Sequence, residues 1–264
     1  MIVEAPGVNL SPAKSKIRSR LDAALAERGL CESRERAARS VLAGKVRVNR
    51  QLVDKPSHRV SPEDLLEVQA PERFVSRGGH KLEHALQAFG INASNRKALD
   101  LGASTGGFTD CLLQHGAAQV VSVDVGQGQL AWKLRQDPRV ICLERTNARH
   151  LTSHQFPVGF LPCDLVVVDC SFISLKLILP AAISFLRPCG QTVALVKPQF
   201  EAGKKEADRG KGVIKDPLIH ARILAELEDF SRSIPGVQWR SAVESPLLGP
   251  AGNKEFLVLL EKAD

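Results

Sequence analysis

Residues Lys97 to Gln114 read KALDLGASTGGFTDCLLQ, and this stretch constrains the fold more than any other. Its opening is a short apolar run, Gly102 to Gly107 is a turn made of small residues, and Phe108 to Gln114 resumes as a helix. A strand, a tight glycine turn and a helix N-terminus together let backbone approach a bound ligand closely. The chain beyond it continues in the same alternation. Val120–Asp124, Val140–Glu144, Asp164–Asp169 and Gln191–Lys197 read as near-continuous apolar strands, and VGQGQLAWKLRQD (125–137) and SLKLILPAAISFL (174–186) as helices. That pattern predicts an α/β fold with a parallel sheet covered on both faces. Ligands then sit outside the carboxyl ends of the strands, where Asp100, Asp124, Asp169 and Lys197 fall. A helix around Ile219–Phe230 and two last strands, 237–243 and 255–261, complete the pattern, the final strand beginning at Glu255.

The turn narrows the ligand by what it lacks. A phosphate-cradling loop needs a lysine after its glycines, and none follows here. A dinucleotide turn has glycine where this chain has Ser104. What remains is D-x-G-x-x-x-G-G, with Asp100 at the strand end and Asp124 one strand further on, placed to bond ribose hydroxyls. Two acids without a phosphate-binding cation suit a ligand with an adenosine and a positive centre, S-adenosylmethionine. A plain βα unit or another nucleotide remains open at this point.

The chain of 264 residues carries a net charge of +7 and a sequence pI of about 9.2, which indicates a polyanionic partner. The cations concentrate near the N-terminus. After a loose arm, residues 1–17, RSRLDAALAERGL forms one predicted helix ending at Gly29, and RERAARSVLAGK a second, capped by Ser33 and stopped by Gly44. VRVNRQLVDKP alternates like a hairpin about Asn49-Arg50, and DLLEV adds a strand. Arg18, Arg20, Arg34, Arg36, Lys45, Arg47, Asn49, Arg50 and Lys55 are the candidate RNA contacts. The six cysteines are scattered without metal-ligand spacing, which suits small buried hydrophobes, a reducing cytoplasm and no metal site. No N-terminal apolar core of the signal-peptide kind appears and no apolar run reaches membrane-spanning length, and nothing implies a partner protein.

RLDAALAERGL, SRERAARSVLAGKVRVN and VDKPSHRV resemble an RNA-binding module first seen in a ribosomal small-subunit protein and shared with pseudouridine synthases. The resemblance implies a small α+β RNA-binding domain over 18–69 that grips structured RNA through its phosphates. A polar linker, residues 70–77, then leads into a domain spanning 78–264, whose first helix, SRGGHKLEHALQAFG, carries Lys81 on its first turn.

Lys197 ends one strand and Asp169 its neighbour. If Lys81 also reaches this rim, two ammonium groups meet a carboxylate, and one lysine can lose its proton near neutral pH and take that of an alcohol. The other cation stabilises the alkoxide. This Lys81-Asp169-Lys197-Glu255 order is similar to that of the RNA 2′-O-ribose methyltransferases of the FtsJ type, which also carry a D-L-G-A-x-x-G-G loop. From Arg18 onward the chain resembles the TlyA family of ribosomal RNA cytidine 2′-O-methyltransferases, long labelled hemolysins. SRGGHKL, LDLGASTGGFTDCLLQHGA, ERTNAR, VVVDCSFISL, VKPQFEAG and GNKEF carry that likeness. It implies a Rossmann-like class I S-adenosylmethionine-dependent domain and ribosomal RNA, or a ribosomal subunit, as partner. The implied catalytic residues are Lys81, Asp169, Lys197 and Glu255. The donor is expected against Asp100, Gly102, Ala103, Ser104, Thr105, Gly106, Gly107, Phe108, Asp124, Val125 and Asp169, with Asn147 near the adenine. Thr105 replaces the proline of the FtsJ loop, and Cys170 stands where relatives often have valine. With no tyrosine in the chain, base stacking would fall to Phe172, Phe200, Phe74 or Trp132. A ribosome-binding or membrane-active protein without methyl transfer is the alternative, and DCSF differs from the Asn/Asp-Pro-Pro-aromatic site of amino-group methylases.

Overall fold

The computed structural model of the protein describes residues 2–4, 18–69, 72–203, 206, 208, 210 and 212–264. The chain divides into two compact units, Met1–Glu72 and Arg73–Asp264.

The first unit contains β1 (Ile2–Glu4), β2 (Ser19–Arg20), α1 (Leu21–Glu27), α2 (Arg34–Leu42), β3 (Val46–Val48), β4 (Gln51–Leu52), β5 (Arg59–Val60) and β6 (Leu66–Gln69). Leu21, Ala24 and Leu25 of α1 meet Ala37 and Val41 of α2 over Val46, Val48, Leu66 and Val68 of the sheet. The hydroxyl of Ser33 accepts the N–H of Arg36 at 3.2 Å, which starts α2 as its N-cap. Asn49 and Arg50, at φ 50° and 68°, make the left-handed pair that a two-residue hairpin needs. The arm departs from its expectation at one place. Ile2–Glu4 pairs antiparallel with β6, because the edge of β6 offers unpaired backbone groups to an extended segment. The rest of that arm, residues 70 and 71 of the linker and much of the charged stretch 204–212 lie outside the described residues.

The second unit contains α3 (Gly78–Ala88), β7 (Lys97–Leu101), α4 (Gly107–Gln114), β8 (Gln119–Val123), α5 (Trp132–Arg135), β9 (Val140–Leu143), β10 (Cys163–Val168), α6 (Leu179–Ser184), β11 (Leu186–Val196), α7 (Pro198–Glu201), α8 (Pro217–Arg232), β12 (Val237–Glu244) and β13 (Phe256–Lys262). They build one seven-stranded sheet in the order β12-β13-β11-β10-β7-β8-β9. Strands β9, β8, β7, β10 and β11 run parallel, and β13 is antiparallel to both β11 and β12. Side chains alternate between two cores. Leu99, Leu101, Val166 and Val168 face one, and Ala98, Leu165 and Val167 the other. The order reverses between β7 and β10, so the crevice at their carboxyl ends is the place for a ligand.

Two predicted helices are shorter than their patterns. Only Trp132–Arg135 is helical within 125–137, since Gly126 and Gly128 weaken the helix and Asp124 Oδ1 accepts the Gly126 N–H at 2.7 Å, turning the chain instead. Pro180 helps divide 174–186 into a 3-10 turn (Leu175–Leu177) and α6. Cys111 and Cys163 are buried as expected, but Cys189 is exposed within β11, where the register with β10 shifts.

Candidate active site

Two cavities open at the reversal point. The larger, about 500 Å3, is lined by Gly102, Ser104, Asp124, Val125, Asn147, Asp169 and the run Cys170–Ile173, among others. It falls in the size range of small-molecule sites. Gly102, at φ +86°, makes it possible: a Cβ there would lie 2.9 Å from the backbone of Asp169 and Cys170, so no other residue lets β7 and β10 end so close. Ser104 takes the left-handed conformation too, at φ +49°, and its N–H donates to Asp124 Oδ2 at 2.7 Å. Asp124 thereby ties the turn to the end of β8 and keeps lone pairs for hydroxyls of a ligand. Burial pushes the Cys170 thiol up to about 12, leaving a neutral wall. Asn147 caps a short 3-10 turn, accepting the Arg149 N–H at 3.0 Å, and is exposed at the cavity.

The smaller cavity, about 200 Å3, is lined by Ser76, Arg77, Gly78, Lys81, the turn Gly102–Thr105, Gly107, Phe108, Asp169 and Pro250. Gly102, Ser104 and Asp169 line both cavities. Gly107 lets α3 in, because a Cβ on it would lie 2.2 Å from Ser76 Oγ and 3.0 Å from the Gly79 nitrogen. The N-termini of α3 and α4 therefore meet beside the turn, and α3 carries Lys81 into the rim.

Lys81 is 6% exposed and Glu255 1% exposed, and the two form a close ion pair. The second carboxylate oxygen of Glu255, Oε1, is buried without a hydrogen-bond partner. Lys197 Nζ lies 2.7 Å from Asp169 Oδ1 as an ion pair without hydrogen-bond alignment, and donates to the Asp169 and Cys170 carbonyls at 3.3 and 3.2 Å and to Ser171 Oγ at 2.7 Å. Antiparallel β13 explains Glu255: its start lies at the rim where parallel β10 and β11 end, and Glu255 and Lys197 each stand one residue beyond the last register pair, Val196 with Phe256.

Several expected donor contacts lie elsewhere. Asp100 is fully buried and lines neither cavity. Thr109 Oγ1 donates to its Oδ2 at 2.6 Å, its Oδ1 has no partner, and burial pushes its carboxyl up to about 7. Gly106 backs onto Leu130 and Leu134, and Ala103, Thr105, Gly107 and Phe108 line only the smaller cavity. Sequence reasoning missed Ser76, Arg77, Ser171 and Pro250. Only adjacency to SRGG, DCSF and GNKEF could have pointed to them.

In the first unit Arg18, Lys45, Arg47, Arg50 and Lys55 are exposed. Arg20 and Arg34 both hold Asp22, at 2.9 and 3.2 Å, and the Arg20 hydrogen bonds hold that carboxyl down to about 2. Arg36 pairs with Glu32. Asn49 is committed to the fold: it donates to Asp64 Oδ1 and accepts the Leu65 N–H, each at 2.9 Å. Phe172 is 90% exposed at the larger cavity with its ring 5.1 Å from that of Phe200, Trp132 is 73% exposed, and Phe74 is core.

A doubly wound sheet with one antiparallel strand inserted near its edge, a glycine turn after its central strand and an acid after the next define a class I methyltransferase. Comparison with known proteins agrees. Residues 74–262 match the FtsJ-like methyltransferases and residues 19–66 the S4 domain. The chain is 48% identical over 247 residues to the 16S/23S rRNA (cytidine-2′-O)-methyltransferase TlyA of Mycobacterium tuberculosis, covering 92% of this chain and 90% of that one. It is 47% identical over 244 residues to a proposed rRNA methyltransferase of Bacillus subtilis, YqxC, covering 92% and 85%. A solved structure of a proposed hemolysin from Streptococcus thermophilus matches with a TM-score of 0.71 at 44% identity, covering 94% of this chain and 89% of that one. The chain belongs to the FtsJ-like methyltransferases and, within them, to the TlyA family.

Proposed function

We propose that this protein transfers the methyl group of S-adenosylmethionine to the 2′-hydroxyl of a cytidine ribose in ribosomal RNA, as a cytoplasmic enzyme acting on a ribosomal subunit. One observation carries the reading. Lys81 and Asp169 line a single small cavity that shares Gly102, Ser104 and Asp169 with the larger one, and each carries an oppositely charged partner, Glu255 and Lys197. The cytidine and the ribosomal RNA come from the likeness to the M. tuberculosis protein.

The larger cavity fits the donor: it is open behind Gly102, with Asp124, Val125 and Asn147 available to hold adenosine and the Gly102–Ser104 backbone and Cys170 to hold the remainder. When bound, the donor supplies a methyl group on a cationic sulfur, already activated for displacement. The acceptor hydroxyl occupies the smaller cavity. There Lys81, once it has released its own proton to solvent, takes the hydroxyl proton while the O–H bond breaks and the oxygen–methyl bond forms. Glu255 holds Lys81 in place and balances its positive charge when it is protonated. Lys197 fixes the Asp169 carboxylate and the carbonyls of Asp169 and Cys170, so the carboxylate keeps one orientation toward both cavities. The N-termini of α3 and α4 border the acceptor cavity and favour negative charge developing on the oxygen. Most of the rate then comes from positioning.

The exposed cations of the first unit support a phosphate-gripping role, with Lys45, Arg47, Arg50, Arg18 and Lys55 ahead of Arg20, Arg34 and Arg36, whose charges are already partnered. No helix among the described residues is long and apolar enough to cross a membrane. Incubation with labelled donor and free or assembled ribosomal subunits, followed by mapping of ribose methylation as blocked alkaline cleavage, tests the proposal. Label incorporated at alkali-sensitive positions, or into bases, refutes it.

A further inference from the structure

Among the described residues, the segment Asp169–Ser174 presents a carboxylate, that of Asp169, to both cavities, and it follows directly from the end of β10. It runs without regular structure, and its middle residue Phe172 sits at φ +64°, a conformation that costs energy for a residue with a bulky side chain. Something must hold such a loop. Its beginning is held by Lys197, through the contacts to Asp169, Cys170 and Ser171. Its end is held by a different group. Glu201 Oε2 accepts the Ser174 hydroxyl at 2.6 Å and Oε1 accepts the Leu175 N–H at 2.8 Å.

Lys197 and Glu201 are four residues apart across α7, a single turn begun by Pro198. That spacing puts both side chains on one face of the turn, and the proline presets its first backbone angle. Phe200 between them lies against Phe172, with ring centroids 5.1 Å apart. The VKPQFE motif is thus a two-ended grip on the DCSFIS loop: a cation takes the carbonyl end and a carboxylate takes the amide end. The Glu201 carboxyl is raised by burial, and the bonds donated by the Leu175 N–H and the Ser174 hydroxyl oppose that rise.

We infer that Glu201 is a positioning residue for methyl transfer, acting through the DCSFIS loop to hold the donor-cavity wall and Asp169 in register. The inference rests on the donor reading given above, since Cys170, Ser171, Phe172 and Ile173 form one side of the larger cavity.

The test uses the full-length protein with Glu201→Ala, Glu201→Gln and Ser174→Ala, and reads two quantities: hydrogen exchange over residues 170–177, and the Kd of S-adenosylhomocysteine by calorimetry. Losing two hydrogen bonds to a charged acceptor should speed exchange at the Leu175 amide at least tenfold and raise the Kd about tenfold in Glu201→Ala. Glutamine should restore both to within about threefold, since its carbonyl accepts from Leu175 and its amide reaches Ser174 Oγ. Ser174→Ala, which removes one of the two Glu201 bonds together with the Ser174 cap on the Lys176 N–H, should fall between them and carries the test should Glu201→Ala fail to fold. Faster exchange with an unchanged Kd overturns the inference, and so does a Kd that rises equally in Glu201→Gln without faster exchange. A wild-type protein that binds no S-adenosylhomocysteine overturns the donor reading itself, and this inference with it.

Discussion

Replacing Lys81 by methionine leaves Glu255, 1% exposed, with neither oxygen paired, since its Oε1 has no partner even in the intact protein. Breaking a buried pair by removing one member costs about 3–5 kcal/mol. For a unit of this size each kcal/mol lowers Tm by about 2–4 °C, so the melting temperature should fall by roughly 6–20 °C. Glu255→Leu strands Lys81, 6% exposed, at similar cost. Lys81→Met with Glu255→Leu removes both charges and fills the space with apolar atoms. The double variant should therefore melt above either single variant, with a coupling of several kcal/mol. Activity should behave differently: all three variants lose methyl transfer, so stability returns in the double variant and turnover does not. Thermal melts and single-turnover assays on the same samples separate the two effects. If the double variant is destabilised by the sum of the single losses, the ion pair is not buried and coupled as argued. If it regains turnover, Lys81 is not the group that handles the proton.

Three further outcomes are expected. Gly102→Ala forces a Cβ to within 2.9 Å of the Asp169–Cys170 backbone at φ +86°, adding about 1–2 kcal/mol of strain to the displacement; calorimetry should show at least tenfold weaker S-adenosylhomocysteine binding, and unchanged affinity would show that the turn does not shape the cavity. Burial holds the Asp100 carboxyl up at about 7, above its unfolded value, so the folded state keeps its proton longer; the Asp100 contribution to stability should be full below about pH 4 and decline as pH rises toward 7, and Asp100→Asn should flatten that decline in denaturation measured from pH 4 to 8. Substituting Lys45, Arg47 and Arg50 together by alanine should weaken RNA binding and flatten the dependence of log affinity on log salt by about 0.7–0.9 per lost phosphate contact, and an equal slope would clear them of phosphate contact.

Much of the architecture was legible because it is written in local patterns. The apolar runs from Lys97 to Lys197 became the parallel strands, Ser33 capped α2, and the Asn49-Arg50 pair turned the hairpin. The acids and lysine at strand ends were visible for the same reason. Side-chain commitments were not visible. Arg20, Arg34 and Asn49 look like surface contacts in the sequence, yet Asp22 and Asp64 claim them in the fold. Asp100 stands at a strand end like Asp124, but its buried side chain meets Thr109 of α4 and lines neither cavity. Val125–Asp137 has helical spacing, and the two glycines together with the Asp124 side chain reduced it to one turn.

The order of strands, the glycine turn and the capping signals follow from periodicity and from the backbone freedom of single residues, and these act over a few positions. Bringing Lys81 and Glu255 together, 174 residues apart, follows from no local rule. It requires an absent side chain at Gly107, which admits α3, and an antiparallel β13, whose start lies at the rim where its parallel neighbours end. Chemistry at that rim depends on charges that the chain carries far apart, and burial decides which of them meet.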